Sequence, residues 1–521
     1  MKKRTRKMVT AVLLASVALP AASFAAEADL LKRIEELEKK LKKVEEKNLG
    51  NWLTIGGDYR FRYDYLSGKV NPYMDGMTII GGTAQAGLSI SDLMAFMGGD
   101  MTKAATFGPI MTAAAHPVEK TVKNESLYTN RFGLNLKAKV TDDVSFSARM
   151  LMYKVAGAQN DAAIQSGNTV YSFDRAGLFD GTIGHVPGDS RLAVDRVYAT
   201  WSNIAEQPIW FSIGRRPSTG GVPTNLKQNL EKPGNSGVPG LLVDYAFDGV
   251  TLGWAPDIEA LPGAYAKFCY GRGFSTPIEE EGNNSLHNTD MIGINIVPID
   301  TDALRLELQY NRGMNIFSNP IMLSGPFAQT FSSVQSNLGN IDWYGLDAMG
   351  KAGSFNWFVA GAMSKTDPNG KTIQFPVFGD TGIGLLFDNG QKESKTGYGL
   401  YLGGRYDIES SRTKLGFEYN QGTKNWITFT PASDDLWTAK LGTRGKVYEG
   451  YVIQELPLKP IASYFAKAFF KVGYQYYDFD YTGSNSWLGA PMKISSTANT
   501  MQLTAPLKNA QDIYATFEVQ F

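Results

Sequence analysis

The segment 53-LTIGGDYRFRYDY-65 alternates apolar and charged residues along its length. Leu53, Ile55 and Phe61 fall on one parity, whereas Asp58 and Arg60 fall on the other. Because successive side chains of a β-strand point to opposite faces, the segment is predicted to be a strand with one apolar and one charged face. Two settings suit such a strand: the surface of a soluble sandwich, or a transmembrane barrel whose wet lumen holds the charges.

The N-terminal residues predict export. Five basic residues precede the apolar run MVTAVLLASVALP and the small residues of AASFAA. This order is typical of a secretory signal peptide, predicted over residues 1–25 with cleavage before Ala26. A membrane-anchor helix is the weaker alternative, because the run is short and contains Pro20. Beyond Ala26 no stretch approaches the roughly 18 apolar residues of a spanning helix, so any membrane residence is predicted to depend on strands.

Residues 26–48 carry a second pattern, in which apolar residues are separated alternately by four and three positions. These residues are Leu30, Ile34, Leu37, Leu41 and Val44. Such spacing is typical of the a and d positions of a coiled coil. A solitary charged helix is the alternative, but one of this length is marginal in water. We therefore predict a parallel oligomerisation segment, with a homotrimer favoured over a dimer.

The alternation of the opening segment recurs to the end of the chain. RFGLNLKAKV (131–140) and VSFSARM (144–150) are joined by a short turn, and longer polar or Gly-rich stretches separate such pairs. Alternation of short turns with long loops is typical of outer-membrane barrels. The fold class predicted for residues 49–521 is all-β, a transmembrane antiparallel β-barrel of about 16 strands, preceded by the short N-terminal α-helical coiled coil.

The strands are predicted to begin near residues 53, 127, 144, 191, 208, 241, 264, 290, 303, 340, 355, 395, 412, 440, 462 and 509. The segment LLVDYAFDGVTLGWA (241–255) is ambiguous, because its parity slips at FDG. We interpret it as one strand with a bulge, since splitting it gives an odd number of strands. An even number places both chain ends on one side of the membrane, which is predicted to be the periplasmic side.

Composition argues against several classes of function. Five of the 51 Lys and Arg residues lie in the signal peptide, which leaves 46 bases against 51 acids and argues against a nucleic-acid partner. Cys269 is the single cysteine, so no intrachain disulfide and no CxxCH haem attachment is expected. His116, His185 and His287 fall in predicted external loops, where we expect surface residues. No catalytic or metal site, no cofactor and no enzymatic activity are predicted.

The chain ends with QDIYATFEVQF, an alternating segment whose last residue is Phe521. This terminus resembles the assembly signal of bacterial outer-membrane barrels, which implies outer-membrane lipid and the barrel-assembly machinery as partners. Trp52, Trp201 and Trp254 fall near the same predicted strand ends as Phe521, where an aromatic girdle is expected.

The order of signal peptide, coiled coil and strands resembles the general and substrate-specific porins of Gram-negative bacteria. LGFEYNQGTKNW (415–426) and LGTRGKVYEGYVIQ (441–454) are similar to segments of an uncharacterised family of putative outer-membrane channels from metal- and sulfur-cycling proteobacteria. The resemblance implies trimers in the cell outer membrane, with the N-terminal segment in the periplasm. It also implies that the third external loop, 217–240, folds into the lumen as a constriction, although it lacks the acidic run of general cation porins.

Parity assigns about twice as many basic as acidic side chains to the lumen wall. The bases are Arg60, Arg62, Arg131, Lys137, Lys139, Arg149, Arg196, Arg216, Lys267, Arg305, Arg405, Lys414, Lys467 and Lys471. The acids are Asp58, Asp64, Glu307, Asp347, Glu418, Asp512 and Glu518. Rings of Arg and Lys favour anions in a pore, unless these charges pair with one another.

Two functions fit this interior. The first is a channel for passive diffusion of small hydrophilic solutes or ions, with a preference for anions. The second is a barrel that sheathes a multihaem cytochrome from another chain, as part of a porin–cytochrome electron conduit. The absence of haem attachment motifs is compatible with both.

Overall fold

The computed structural model describes residues 52–157, 181, 185, 187–188, 190–230, 233, 237–275, 287–316, 337–375, 379–380, 382–388, 392–430, 434–459, 466–502 and 504–521. The predicted signal peptide and coiled-coil segment lie outside the described residues.

Sixteen strands form one closed antiparallel barrel, in which each strand pairs with its neighbours in sequence and the last pairs with the first. They are β1 (Leu53–Val70), β2 (Lys120–Lys139), β3 (Val144–Val155), β4 (Ala193–Trp201), β5 (Ile209–Arg216), β6 (Phe247–Trp254), β7 (Tyr265–Phe274), β8 (Thr289–Asp300), β9 (Arg305–Met314), β10 (Gly339–Ala352), β11 (Phe355–Pro368), β12 (Thr396–Ile408), β13 (Thr413–Gly422), β14 (Gly445–Glu455), β15 (Lys467–Phe479) and β16 (Leu507–Gln520). The predicted antiparallel barrel and its strand number are confirmed.

The barrel closes where β1 pairs with β16, with Phe61 opposite Phe517. The C-terminal residue extends this closure, because the backbone N–H of Phe521 donates to the carbonyl of Gly57 at 3.0 Å and Gly57 donates back at 2.8 Å. Closure leaves no strand with an unpaired edge, which is the general way in which barrels avoid edge-to-edge association.

Two predicted strand boundaries are wrong. The second strand begins at Lys120 rather than near residue 127, because β1 and β2 stay paired beyond a bulge as far as Val70 and Lys120. The first long loop is therefore 71–119. The predicted bulged strand 241–255 is also wrong. β6 begins at Phe247 and pairs with both neighbours without a register shift. The parity slip marks the end of a loop, and residues 241–246 are buried inside the barrel.

The barrel wall has an apolar outer face and a charged inner face, as the alternation predicts. On β1 the Phe61 side chain is 38% exposed, whereas Arg60 and Arg62, which flank it, are 5% and 3% exposed. Every strand pair continues this pattern, and large apolar side chains cover the outer surface: Ile55, Ile213, Leu252, Phe268, Ile294, Leu308, Leu346, Val359, Leu415, Phe417, Val452, Phe470, Val472 and Ile513. The barrel therefore presents an apolar exterior and a polar interior.

Connections differ sharply between the two ends of the barrel. At one end, the short-turn end, the strands are joined by residues 140–143, 202–208, 255–264, 301–304, 353–354, 409–412 and 456–466. The tightest of these uses Gly353 at a φ of 60°, a left-handed conformation that glycine adopts without a steric penalty. At the opposite, long-loop end, the connections are 71–119, 156–192, 217–246, 275–288, 315–338, 369–395, 423–444 and 480–506.

The loop 71–119 contains three helices, α1 (Gly76–Gln85), α2 (Ile90–Met97) and α3 (Ala104–Ala114). The Asp75 carboxylate caps α1, and Ser89 with Asp92 forms a capping box on α2. The helices share a small core that includes Ile79 and Phe107. No helix in the described ranges has both the length and the hydropathy of a membrane-spanning helix.

The largest apolar core lies inside the barrel and is built mainly from loops. The loop 217–246, termed loop L3, and the loop 423–444, termed loop L7, meet there. The Phe429 N–H donates to the Leu242 carbonyl at 2.9 Å, and the Asp244 N–H donates to the Phe429 carbonyl at 2.9 Å. From the wall, the indole N–H of Trp343 donates to the Ile427 carbonyl at 2.8 Å. Both loops are therefore fixed within the lumen.

Candidate functional site

The charged side chains on β1 face the interior, but they are paired. The Arg62 guanidinium lies 2.5 Å from Asp64 and 2.8 Å from Asp512. Both carboxylates are fully buried, and the guanidinium carbon lies 4.5 Å from the centre of the Tyr514 ring. A buried ion pair surrounded in this way is strongly destabilised when one partner is removed. Arg62 is therefore first of all a structural residue.

Arg60 is held by loop L7 rather than by the wall. Its guanidinium forms a bidentate ion pair with Asp434, in which Nη2 donates to Oδ1 at 2.9 Å, and Arg131 donates to the same carboxylate at 2.9 Å. Burial acts to raise the pKa of Asp434, but Arg60 and Arg131 outweigh it and hold the pKa below its ordinary value. Next to them, Arg149 pairs with Asp58 at 2.6 Å. The predicted charges of β1–β3 thus form a network with loop L7.

A second network joins both lumen loops to β13 and β14. Lys440 of loop L7 contacts the carboxylates of Glu418 and Glu449, the latter at 2.6 Å. Lys227 of loop L3 contacts Glu449 at 2.5 Å, and the Tyr514 hydroxyl donates to Glu449 at 2.7 Å. All of these carboxylates are buried.

Loop L3 crosses the lumen from β5 and β6 to strands β12–β16. Its carbonyl groups accept hydrogen bonds from the far wall: Leu226 from Arg405 at 2.7 Å, Lys227 from Lys471 at 3.2 Å and Gln228 from Gln520 at 3.0 Å. At the tip of the loop, the Asn229 side chain lies between Lys414 at 2.6 Å and Glu455 at 2.8 Å. This is the loop that the porin resemblance placed in the lumen, and the structure has it there.

Consequently two regions of the lumen wall differ. The inner faces of β1–β4 and β12–β16, termed the paired wall, carry bases that, apart from the exposed Lys137, are matched by carboxylates or loop carbonyls. The inner faces of β5–β9, termed the open wall, carry Arg216 and Lys267 in addition to the ion pair of Arg305 with Glu307. Neither Arg216 nor Lys267 has a carboxylate within 4 Å among the described residues; Arg216 instead donates to the Ser212 hydroxyl and lies over the Tyr198 ring.

Of the predicted lumen acids, Glu518 pairs with Lys471 at 2.7 Å, and Asp347, opposite Glu307 on the neighbouring strand, is buried. The remaining predicted bases lie at intermediate or peripheral positions. Arg305 on β9 pairs with Asp300 at 2.7 Å and Glu307 at 3.2 Å. Arg196 lies 3.2 Å from Asp195, the extra residue where the register of β4 shifts. Three lysines lie at the short-turn end: Lys137, which is exposed, Lys139, which pairs with Asp142 at 3.0 Å, and Lys467, which is 3.7 Å from Glu455.

The chain matches the model of a family described as protein of unknown function (DUF3373) over residues 121–521. It belongs to this family. No curated protein matches the chain in sequence.

Among solved structures, the chain is similar to an anion-selective porin from Comamonas acidovorans, at 10% identity and a TM-score of 0.40, over 90% of this chain and 99% of that one. The trimer form of OmpT, an outer-membrane protein of Vibrio cholerae, matches at 11% identity and a TM-score of 0.38, over 90% and 99%. Salmonella typhi OmpF in complex with daunomycin matches at 10% identity and a TM-score of 0.37, over 89% and 97%.

Sequence reasoning missed the loop residues that neutralise the wall, because strand parity gives no information about loops. The prediction that His185 is a surface residue is wrong. Its Nε2 lies 2.8 Å from Asp195 and its Nδ1 lies 3.9 Å from Asp244 of loop L3. Burial acts to lower the pKa of His185, but Asp195 and Asp244 outweigh it and raise the pKa above its ordinary value. His116 stacks on Tyr73, with ring centres 4.8 Å apart, and His287 is exposed.

Within the ranges that the structure describes, no group of three or more His, Cys, Asp or Glu side chains is arranged to hold a metal ion. The chemistry that the interior offers there is charge, hydrogen bonding and shape. These properties select which solute occupies or crosses a lumen.

Proposed function

We propose that the chain is an outer-membrane channel for passive diffusion of small hydrophilic solutes or ions, with a preference for anions. One observation carries the proposal: a closed barrel whose exposed outer surface is apolar and whose interior is charged and polar. A lipid-facing apolar band around a polar lumen is the arrangement by which β-barrels conduct hydrophilic solutes across a membrane.

The preference for anions is attributed to the open wall rather than to β1. Arg60 and Arg62 are buried and neutralised by Asp434, Asp64 and Asp512, so they offer little charge to a passing ion. Arg216 and Lys267 face the space beside loop L3, and neither has a carboxylate within 4 Å in the described chain, although Glu307 interacts electrostatically with Lys267 at longer range. An unneutralised base in a pore attracts anions and repels cations.

The alternative function, a sheath around a multihaem cytochrome, requires a lumen that is wide enough for a second protein. Loops L3 and L7 occupy the interior and bond to the wall at β12 and β1, as Arg405 with Leu226 and Arg60 with Asp434 illustrate. This occupancy supports a path for small solutes over a cavity for a cytochrome.

Planar-bilayer recording of the purified protein tests the channel. We expect discrete conductance steps and, in a KCl gradient, a reversal potential displaced toward the chloride equilibrium potential. A Lys137→Gln variant is the control, because this base is exposed at the short-turn end. Its removal is expected to leave the sign of the reversal potential unchanged. A silent barrel, or one that co-purifies with haem-staining protein after mild extraction, contradicts the channel and favours the sheath.

We further propose that residues 1–25 direct export to the Gram-negative outer membrane, and that residues 26–48 form a periplasmic coiled coil that holds a homotrimer. Native mass spectrometry after deletion of 27–48 tests the coiled coil: loss of trimers is expected, and trimers that persist unchanged contradict it.

For assembly by the barrel-assembly machinery, Phe521→Ala removes the ring while retaining the backbone bonds to Gly57. Slower insertion into membranes is expected, and insertion at the normal rate contradicts this role.

A further inference from the structure

A cavity lies in the lumen between loop L3 and the open wall. Its empty volume is about 510 Å³, including the space at its opening. The lining includes Arg216, Lys267, Asn311, Val243, Phe247 and Met291.

Hydrogen-bond donors in this cavity lack acceptors. The Nε of Arg216 and the Nδ2 of Asn311 are buried without a hydrogen-bond partner, and Asn311 as a whole is only 3% exposed. The Nζ of Lys267 lies over the Tyr265 ring, 5.3 Å from the ring centre, and has no carboxylate within 4 Å in the described chain. Leaving a buried donor unsatisfied costs free energy that a bound acceptor recovers. The unmet requirement here is for negative charge and acceptor oxygens.

The cavity lining also includes apolar side chains. Val243 lies in loop L3, Phe247 is the first residue of β6, and Met291 projects from β8. All three side chains are less than 10% exposed. An inorganic anion satisfies the donors but leaves this apolar surface uncovered, whereas an organic anion with an apolar body covers both.

We propose that this cavity binds a small organic anion, with its carboxylate against Arg216, Lys267 and Asn311 and its apolar body against Val243, Phe247 and Met291. The inference deepens the proposed channel function and rests on it, because it names the class of solute that the channel favours. Arg216 and Lys267 supply charge-assisted hydrogen bonds, and the apolar side discriminates against phosphate and chloride.

Benzoate is the probe, and two measurements separate the binding site from the channel. In planar bilayers, increasing benzoate at constant KCl is expected to reduce the chloride current with saturation. By isothermal titration, benzoate is expected to bind the purified barrel in detergent after subtraction of empty micelles. Benzyl alcohol, which lacks the charge, and phosphate, which lacks the apolar body, are expected to bind at least about tenfold more weakly, a difference of about 1.4 kcal/mol.

The double variant Arg216→Gln/Lys267→Gln is expected to weaken benzoate binding at least tenfold, and Lys267→Gln alone is measured in case the double variant fails to fold. Lys137→Gln is the matched control and is expected to bind benzoate as the unmodified chain does. Equal binding of benzoate and phosphate, or full benzoate binding by the folded Lys267→Gln and double variants, overturns the inference. If benzoate binds but the barrel does not conduct, the channel function is overturned and the binding site stands. If the barrel conducts but benzoate does not bind, the binding site is overturned and the channel function stands.

Discussion

The paired wall and the open wall of the barrel follow the same sequence rule, in which charged side chains alternate with apolar ones, yet their environments differ. On the paired wall, Arg62 lies between two fully buried carboxylates. On the open wall, Arg216 lies beside a cavity, with a buried Nε that has no acceptor. The strands themselves supply the carboxylates around Arg62, and loops L7 and L3 add Asp434 and the Leu226 carbonyl on the same side. Neither loop brings a carboxylate within 4 Å of Arg216 or Lys267 in the described chain. We infer that the paired wall serves stability and the open wall serves solute selection.

The largest expected effect is on stability at the paired wall. Arg62→Leu leaves Asp64 and Asp512 buried without their cation, and we expect the free energy of unfolding to fall by about 3–5 kcal/mol. Lys137→Leu, at an exposed position, is the control and is expected to change it by less than about 0.5 kcal/mol. Urea unfolding of the refolded barrel in lipid vesicles measures both. Equal unfolding midpoints for the two variants contradict the structural role of Arg62.

A smaller effect is expected where loop L7 neutralises the wall. Asp434→Asn removes the charge that holds Arg60 and Arg131, and the lost charged hydrogen bonds are expected to cost about 1.5–3 kcal/mol. The two arginines then become available to ions. The reversal potential is expected to move further toward the chloride equilibrium potential, because bases of the paired wall then also attract anions. An unchanged reversal potential in a folded Asp434→Asn barrel contradicts the neutralising role of loop L7.

The smallest effect is a pH dependence of the attachment of loop L3. Burial acts to lower the pKa of His185, but the charges of Asp195 and Asp244 outweigh it and raise the pKa. His185 therefore binds a proton more tightly in the folded chain than in the unfolded chain. Its stabilising contribution is therefore complete below about pH 6.5, the ordinary value, and is lost as the pH rises through the raised pKa.

Burial raises the pKa of Asp244 to about 6. The folded chain therefore favours the protonated carboxyl, and it loses stability as the pH rises from about 4 to 6 and this proton dissociates. His185→Gln is expected to reduce the melting temperature more at pH 5.5 than at pH 9, as measured by differential scanning calorimetry in detergent. A difference that is constant across pH contradicts the ion pair.

Much of the barrel follows from the sequence because strand parity is a local property. The alternation at 53–65 and the pairing of short turns with long loops predict the closed antiparallel fold and the outward position of Phe61. The same parity predicts that Arg60, Arg62 and Lys267 face the interior; Arg60 and Arg62 are paired with carboxylates, and Lys267 lines the cavity. It cannot tell a neutralised base from a free one, because the partner of Arg60 is Asp434, which lies 374 positions away in a loop. The strand predicted at 241–255 is wrong for a related reason. Buried loop residues such as Leu242 are as apolar as the residues of a strand, so the pattern does not distinguish them.

The single cysteine provides the most direct test of the claim that solutes pass along the open wall. Cys269 lies on β7, lines the cavity and is partly exposed. The negatively charged reagent (2-sulfonatoethyl) methanethiosulfonate is applied to open channels of the unmodified protein, with Cys269→Ser as the control. If solutes pass along the open wall, the chloride current is expected to fall stepwise in the cysteine-containing protein and to stay constant in the control. A thiol that is shown by mass spectrometry to be modified while the current stays unchanged, or a thiol that the reagent does not reach in conducting channels, contradicts it.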